Sequence, residues 1–169
     1  FLRTGEILSL TIGDVSLDKH GGCVIKLAHT KTGQRHAAFE ASTMMDPMVA
    51  KLFRCFQKHL PPGTHNGHYI SAGSMKSFYD LFEAGLAWLG VQSYGLKPYS
   101  IRRGGATSYY RRTRRMDDTL ERGRWASYRV ARIYVNDGLA KEVEMNFPPL
   151  TQARLETVAN ALALRLARQ

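Results

Sequence analysis

The sequence predicts an α+β fold that is mainly helical, with one small three-stranded antiparallel sheet near the N-terminus. Three observations carry that expectation. Apolar residues recur at three- and four-residue spacing through most of the chain beyond residue 46, which is the pattern of helices with one inward face. Short apolar runs separated by glycine-bearing turns are confined to residues 14–39. A chain of 169 residues with 44% apolar content can also bury a core of one domain's size.

Taken in order, Ile7, Leu8 and Leu10 close a short apolar helical turn that sets Arg3 and Glu6 one turn apart on one side. Runs 14–17, 23–28 and 35–39 have strand character, and Gly21-Gly22 and Lys31-Thr32-Gly33-Gln34 between them have hairpin-turn chemistry. Met48, Val49, Leu52, Phe53 and Phe56 recur at helical spacing over 46–59. Pro61-Pro62-Gly63 ends that helix by removing donors and fixing φ. The next helix is predicted over 74–89, with Phe78, Leu81, Phe82, Leu86 and Leu89 inward. Segments 99–112 and 117–122 also read as helices, and 127–136 as another, amphipathic through Val130, Ile133 and Tyr134. Phe147-Pro148-Pro149 is a hinge-like break, after which Leu155, Val158, Leu162 and Leu166 mark a regular amphipathic helix. The chain therefore divides into a body, 1–146, and a hinge with a C-terminal helix, 147–169.

The net charge is +10 with pI near 9.9, which favours a polyanionic partner. Its distribution is more telling. Residues 96–135 hold eleven Lys and Arg against three acids, so this quarter of the chain carries eight of the ten net charges. Cys23 and Cys55 make no disulfide framework, so a reducing intracellular compartment is expected. No stretch reaches the length of a membrane span and no signal peptide is visible, so no membrane partner is expected. The chain opens at Phe1 inside a helix-like run, and a longer protein with a further N-terminal domain is expected.

Several separated residues suit one phosphodiester site. Arg3 and Arg102 each offer a permanently charged fork that grips two phosphate oxygens, and together they suit the extra charge of a pentacoordinate transition state. Lys31, at a turn tip, could reach a bound duplex and protonate a leaving oxygen. Tyr134 offers a nucleophilic hydroxyl, flanked by Arg129 and Arg132; a free phenol is mostly protonated at neutral pH, so such a nucleophile calls for cationic company. Trp125 could donate its indole N–H to a phosphate oxygen or wall the site. Arg103, Arg111, Arg112, Arg114, Arg115, Arg124, Arg129 and Arg132 are the candidate DNA contacts.

In order along the chain, these residues resemble the tyrosine recombinase (phage integrase) family. Phe1-Leu2-Arg3-Thr4-Gly5-Glu6-Ile7-Leu8-Ser9-Leu10 resembles its G-L-R-x-x-E-L-x-x-L box. Lys31-Thr32-Gly33 falls where the family has a β-hairpin lysine, Tyr99-Ser100-Ile101-Arg102 fills its H-x-x-R box, and Trp125 stands at its His/Trp position. Tyr134 follows Trp125 at the family's spacing to its nucleophile. The resemblance implies a catalytic domain of that fold in which Tyr134 forms a 3′-phosphotyrosyl link and frees a 5′-hydroxyl, with no metal or nucleotide cofactor. It implies that Arg3 and Arg102 stabilise the transition state, Lys31 is the general acid, Trp125 supports the phosphate and Glu6 orients its neighbours. It further implies site-specific recombination of double-stranded DNA by a homo-oligomer, a tetramer on DNA joined through the C-terminal helix, located with the DNA in nucleus or nucleoid and of mobile-element origin. The departure is Tyr99, which stands where the family has histidine; a phenol can bond phosphate but supplies no imidazole, so reduced chemistry is expected.

The main rival is a degenerate or domesticated recombinase that binds DNA without cutting it, a reading that Tyr99 favours. A type IB topoisomerase would use similar chemistry, and an unrelated helical nucleic-acid module would leave the ordered boxes to chance. A metal enzyme built on His65-Asn66-Gly67-His68 lacks a third ligand at a recognisable spacing.

Overall fold

The computed structural model of the chain describes residues 1–19, 22–27, 40–44, 46–61, 63, 67–69 and 74–167. They form α1 (Thr4–Ser9), β1 (Val15–Leu17), β2 (Cys23–Leu27), β3 (Glu40–Met44), α2 (Pro47–Lys58), α3 (Met75–Leu89), α4 (Pro98–Thr113), α5 (Met116–Gly123), α6 (Tyr128–Tyr134), α7 (Asp137–Met145) and α8 (Pro149–Ala167). The fold is α+β, mainly helical, with a three-stranded antiparallel sheet in the order β1-β2-β3. The chain separates into two compact units, one made of Phe1–Thr4 and Ser74–Glu156, the other of Gly5–Gly73 and Thr157–Gln169.

The second of these units holds the sheet. Cys23, Ile25 and Leu27 of β2 are buried while Val24 and Lys26 between them are exposed, the two-residue alternation of a strand with one covered face. Its partner β3 pairs Cys23 with Met44 and Leu27 with Glu40. The third strand thus lies downstream of the expected 35–39, which falls outside the described residues. Glu40-Ala41-Ser42-Thr43-Met44 has little apolar alternation of its own, and its pairing with β2 makes it a strand.

Asp46 caps α2, its carboxylate accepting from Met48 N at 3.0 Å and Val49 N at 3.4 Å. Gln57 Nε2 ties that helix to the sheet by donating to the Val15 carbonyl at 3.3 Å and the Tyr69 hydroxyl at 2.9 Å. Leu162, Arg165 and Leu166 line a cleft of about 510 Å³ with Leu52, Cys55, Phe56, His59 and Leu60 of α2.

In the other unit, α3 starts on Ser74, whose hydroxyl accepts from Ser77 N at 3.0 Å, and ends on Gly90 at φ 74°, a left-handed conformation that glycine adopts without Cβ strain. Leu81, expected inward, is 67% exposed. The inward side of α3 runs through Phe78, Phe82, Leu86 and Leu89, and Leu81 sits about a quarter-turn off that line. Thr151, near the start of α8, donates to the Leu89 carbonyl at 2.7 Å, and the Tyr94 hydroxyl donates to the Asn146 carbonyl at 2.7 Å.

Between residues 127 and 145 the sequence reading needs two corrections. Helix α6 stops at Tyr134 because Val135 is extended, and a separate helix, α7, follows at once on Asn136, whose side chain accepts from Leu139 N at 3.0 Å. The asparagine and the acid after it were the available signal for that start. Ile133, expected on the inner face of α6, is 62% exposed, because the covered side of so short a helix runs through Val130, Ala131 and Tyr134. Ala106, Trp125 and Ala131 form the buried centre here, with Phe1, Met116, Leu120, Val130, Tyr134 and Val135 packed around it.

Candidate active site

Helix α4 carries the charged centre of the site. Pro98 at its first turn fixes φ, and Ser100 Oγ accepts from the Lys97 main-chain N–H at 3.1 Å. Pro98, Arg102 and Ala106 then recur every four residues on the buried side, so the stripe that docks this helix has an arginine at its middle.

Arg102 is only 3% exposed. A buried cation is tolerated where oxygens and aromatic faces replace its water. Its Nη1 group donates to the Phe1 carbonyl and its Nη2 group to the Gly123 carbonyl at 2.7 Å. The guanidinium carbon also lies 5.4 Å from the Trp125 ring centroid and 5.5 Å from that of Tyr134.

Trp125 reaches this position through the close of α5. Arg124 takes the left-handed conformation at φ 55°, while the Arg124 and Trp125 main-chain N–H groups return to the Glu121 and Leu120 carbonyls at 2.9 and 3.1 Å. The chain doubles back so tightly that a Cβ on Gly123 would lie 2.2 Å from Trp125 Cε3. Glycine therefore stands one residue before the left-handed position, where the indole needs the space. Stacked against Trp125 are Phe1 on one pairing, at 5.9 Å and 18°, and Tyr134 on another, at 4.4 Å and 24°. The indole Nε1 is buried and has no hydrogen-bond partner among the described residues. Leaving such a donor unpaired costs about 1–3 kcal/mol.

Tyr134 ends α6 with its hydroxyl hydrogen-bonded to that of Tyr99, the two rings 5.6 Å apart. Burial, then the Tyr134 hydroxyl, pushes the Tyr99 phenol up to about 12, against smaller opposing pulls from Arg102 and Arg3. Tyr99 therefore keeps its proton throughout the neutral range and cannot serve as a base there. Arg102, Trp125, Tyr134 and Tyr99 thus meet in one cluster, and Arg3 lies close enough for its charge to act on Tyr99. Lys31 lies outside the described residues. Glu6 is buried in α1, within the sheet-bearing unit.

The other basic residues serve different ends. Arg111 is bound to α7, pairing with the carboxylates of Asp137 and Glu144 and donating to the Asp137 carbonyl at 3.0 Å. That guanidinium, with Arg114 behind it, holds the Asp137 carboxyl below its usual range. Arg111 therefore ties one helix to another, a role its place in a basic run did not reveal. Arg114 shares Asp137 at 3.4 Å, and Arg115 pairs with Asp118 at 3.2 Å, both largely in solvent, where such pairs contribute little. Arg112 and Arg122 lie over the Tyr109 ring at 5.8 and 4.8 Å, Arg103 donates to the Ile133 carbonyl at 3.1 Å, and Arg129 and Arg132 are exposed on α6.

Among the described residues there is no group of three His, Cys, Asp or Glu placed to hold a metal ion, and no helix long and apolar enough to cross a membrane. Phe1, Gly123 and Thr107 are the site's contributors that sequence reasoning passed over; the Gly123-Arg124-Trp125 run was the legible trace of one of them.

Replacing Gly123 with alanine forces the indole out of place, and unfolding in urea should show a loss of about 1–3 kcal/mol, the usual cost of overpacking. Unchanged stability with an unchanged near-ultraviolet tryptophan signal would contradict the packing described. For Tyr99 the sign is fixed by its raised folded pKa: its contribution is complete below the ordinary value of 10.0 and is lost as pH climbs toward about 12. Over that window the wild type should lose more stability than Tyr99→Phe, measured by denaturant unfolding at each pH; parallel losses would refute it. Comparison with protein-family models, curated proteins and solved structures returned no match.

Proposed function

We propose that this chain is the catalytic part of a DNA strand-breaking and rejoining enzyme of the tyrosine recombinase type, with that family's catalytic-domain fold. The observation that carries the reading is the meeting of Arg102, Trp125 and Tyr134, which belong to three different helices or their caps, beside a buried indole N–H that has no partner among the described residues. The order and spacing of the family-like boxes supports the same chemistry from an independent direction.

In the proposed reaction the Tyr134 hydroxyl oxygen attacks the scissile phosphorus of double-stranded DNA. The bond from phosphorus to the 5′ oxygen breaks as the phosphotyrosyl bond forms, the phenolic proton passes to solvent water, and the 5′ oxygen takes up a proton from Lys31 to become a hydroxyl. The covalent link conserves the energy needed to rejoin the strand. Arg102 turns at least one N–H edge from a main-chain carbonyl to a phosphate oxygen, where a bond between two opposite charges replaces one between a charge and a neutral dipole. Trp125 Nε1–H donates to a non-bridging oxygen, Arg3 adds charge stabilisation, Lys31 supplies the leaving group's proton, and Glu6 orients its neighbours. Exposed Arg129 and Arg132, with Arg103, Arg112, Arg114, Arg115 and Arg124, contact the DNA backbone, whereas Arg111 is reserved for holding α7. Leu155 and Val158 are exposed on α8, which supports assembly of copies on DNA through that helix; Leu162 and Leu166 line the cleft with α2 instead.

Tyr99 favours a second reading, a recombinase-derived protein that binds DNA without cutting it, because a phenol that keeps its proton cannot replace an imidazole. One experiment separates the two. Nicked duplexes are selected from a randomised pool by binding to the protein, incubated with it, and run on a denaturing gel beside Tyr134→Phe. A protein-linked DNA band that is lost in the variant is expected. Tight DNA binding with no covalent band would leave the non-cutting binder.

A further inference from the structure

Thr107 lies one turn beyond Arg102 on α4, is almost wholly buried, and takes no part in the chemistry above. Its hydroxyl donates to the Tyr134 carbonyl at 3.2 Å and accepts from the Asn136 main-chain N–H at 3.2 Å. The first of these carbonyls is among the last of α6, which have no partner inside their own helix, and the second group lies at the start of α7. One hydroxyl therefore closes the nucleophile's helix and opens the next. Asn136, held in this way, turns its side chain to cap α7 through Leu139 N at 3.0 Å. Arg103, four residues earlier on the same helix, grips the adjacent Ile133 carbonyl at 3.1 Å.

We propose, on the recombinase reading, that Thr107 is a positioning residue that sets the reach of the Tyr134 hydroxyl toward the scissile phosphate. Arg102 and Thr107 stand on one rigid helix. The anion-binding charge and the anchor of the nucleophile's main chain are thereby fixed to the same rod, five residues apart in sequence. A helix end held by two bonds from α4 cannot slide without breaking them, so the distance between the attacking oxygen and the guanidinium is set by α4 itself. A threonine suits the task because its branched Cβ limits the rotamers that the hydroxyl can adopt, while the hydroxyl can donate and accept at once.

The test compares Thr107→Ser, which keeps the hydroxyl, with Thr107→Val, which keeps the shape. Single-turnover cleavage is measured at saturating duplex, together with DNA affinity and a melting curve for each protein. The expected result is a cleavage rate near wild type for serine and about 100-fold lower for valine, the loss typical of a misplaced reacting group, with DNA affinity unchanged in both. If Thr107→Val does not fold, Thr107→Cys, whose thiol bonds weakly, takes its place with the same expected loss. Valine or cysteine cleaving at the wild-type rate while serine is slow would assign Thr107 to packing and overturn the proposal. An equal fall in affinity and rate would also overturn it. Absence of any covalent adduct from the wild type would instead overturn the recombinase reading, and this inference with it.

Discussion

A guanidinium taken almost completely out of water has to find oxygens and π-faces to replace its hydration, and the surroundings of Arg102 are arranged by that demand. One Nη group reaches the carbonyl of Phe1, at the chain start, and the other that of Gly123, at the end of α5. The flat of the group rests near two aromatic rings, Trp125 from the same turn as Gly123 and Tyr134 from the end of α6. Three stretches far apart in sequence, the chain start, the turn at 123–125 and the end of α6, thus gather around one charge on α4. The closeness that Gly123 permits and the stacking of Trp125 on Tyr134 lie beside the same guanidinium.

The arginine-rich quarter of the chain gains meaning from this division of labour. Composition treats its cations as equivalent, yet they fall into separate groups. Arg102 is a buried hub, Arg111 is a strut between α4 and α7, and Arg129 and Arg132 project into solvent. The exposed group can supply the long-range attraction that draws a polyanion and that salt weakens. The buried hub cannot act at range; on the proposed reading it meets a phosphate only at contact.

Much of this was legible in the sequence. Helix α2 follows its apolar spacing and the Asp46 cap, α3 its spacing up to the Gly90 stop, and α4 its proline start. The grouping of Arg102, Trp125 and Tyr134 was legible only through the ordered boxes, since no periodicity links residues on three separate helices or caps. What stayed hidden was set by tertiary pairing. Strand β3 is polar enough to pass for a loop until β2 pairs with it. The split between α6 and α7 had a local trace in Asn136 and Asp137, but the hydroxyl of Thr107 that meets Asn136 N comes from α4, outside any local reading of 127–145. Leu81 and Ile133 were misplaced because an apolar residue a quarter-turn off a helix's covered side looks the same in sequence as one upon it.

On the proposed reading a DNA phosphate docks at the Arg102 cluster, and the indole N–H of Trp125 reports on it most directly. The chain has two tryptophans: Trp88 is exposed beneath Arg154, and Trp125 is buried with no hydrogen-bond partner for its indole among the described residues. In nitrogen-15 labelled protein titrated with the selected duplex, the Trp125 indole resonance should move downfield as the phosphate accepts its hydrogen bond, while that of Trp88 stays in place. Saturable DNA binding that leaves the Trp125 resonance unmoved would contradict the account.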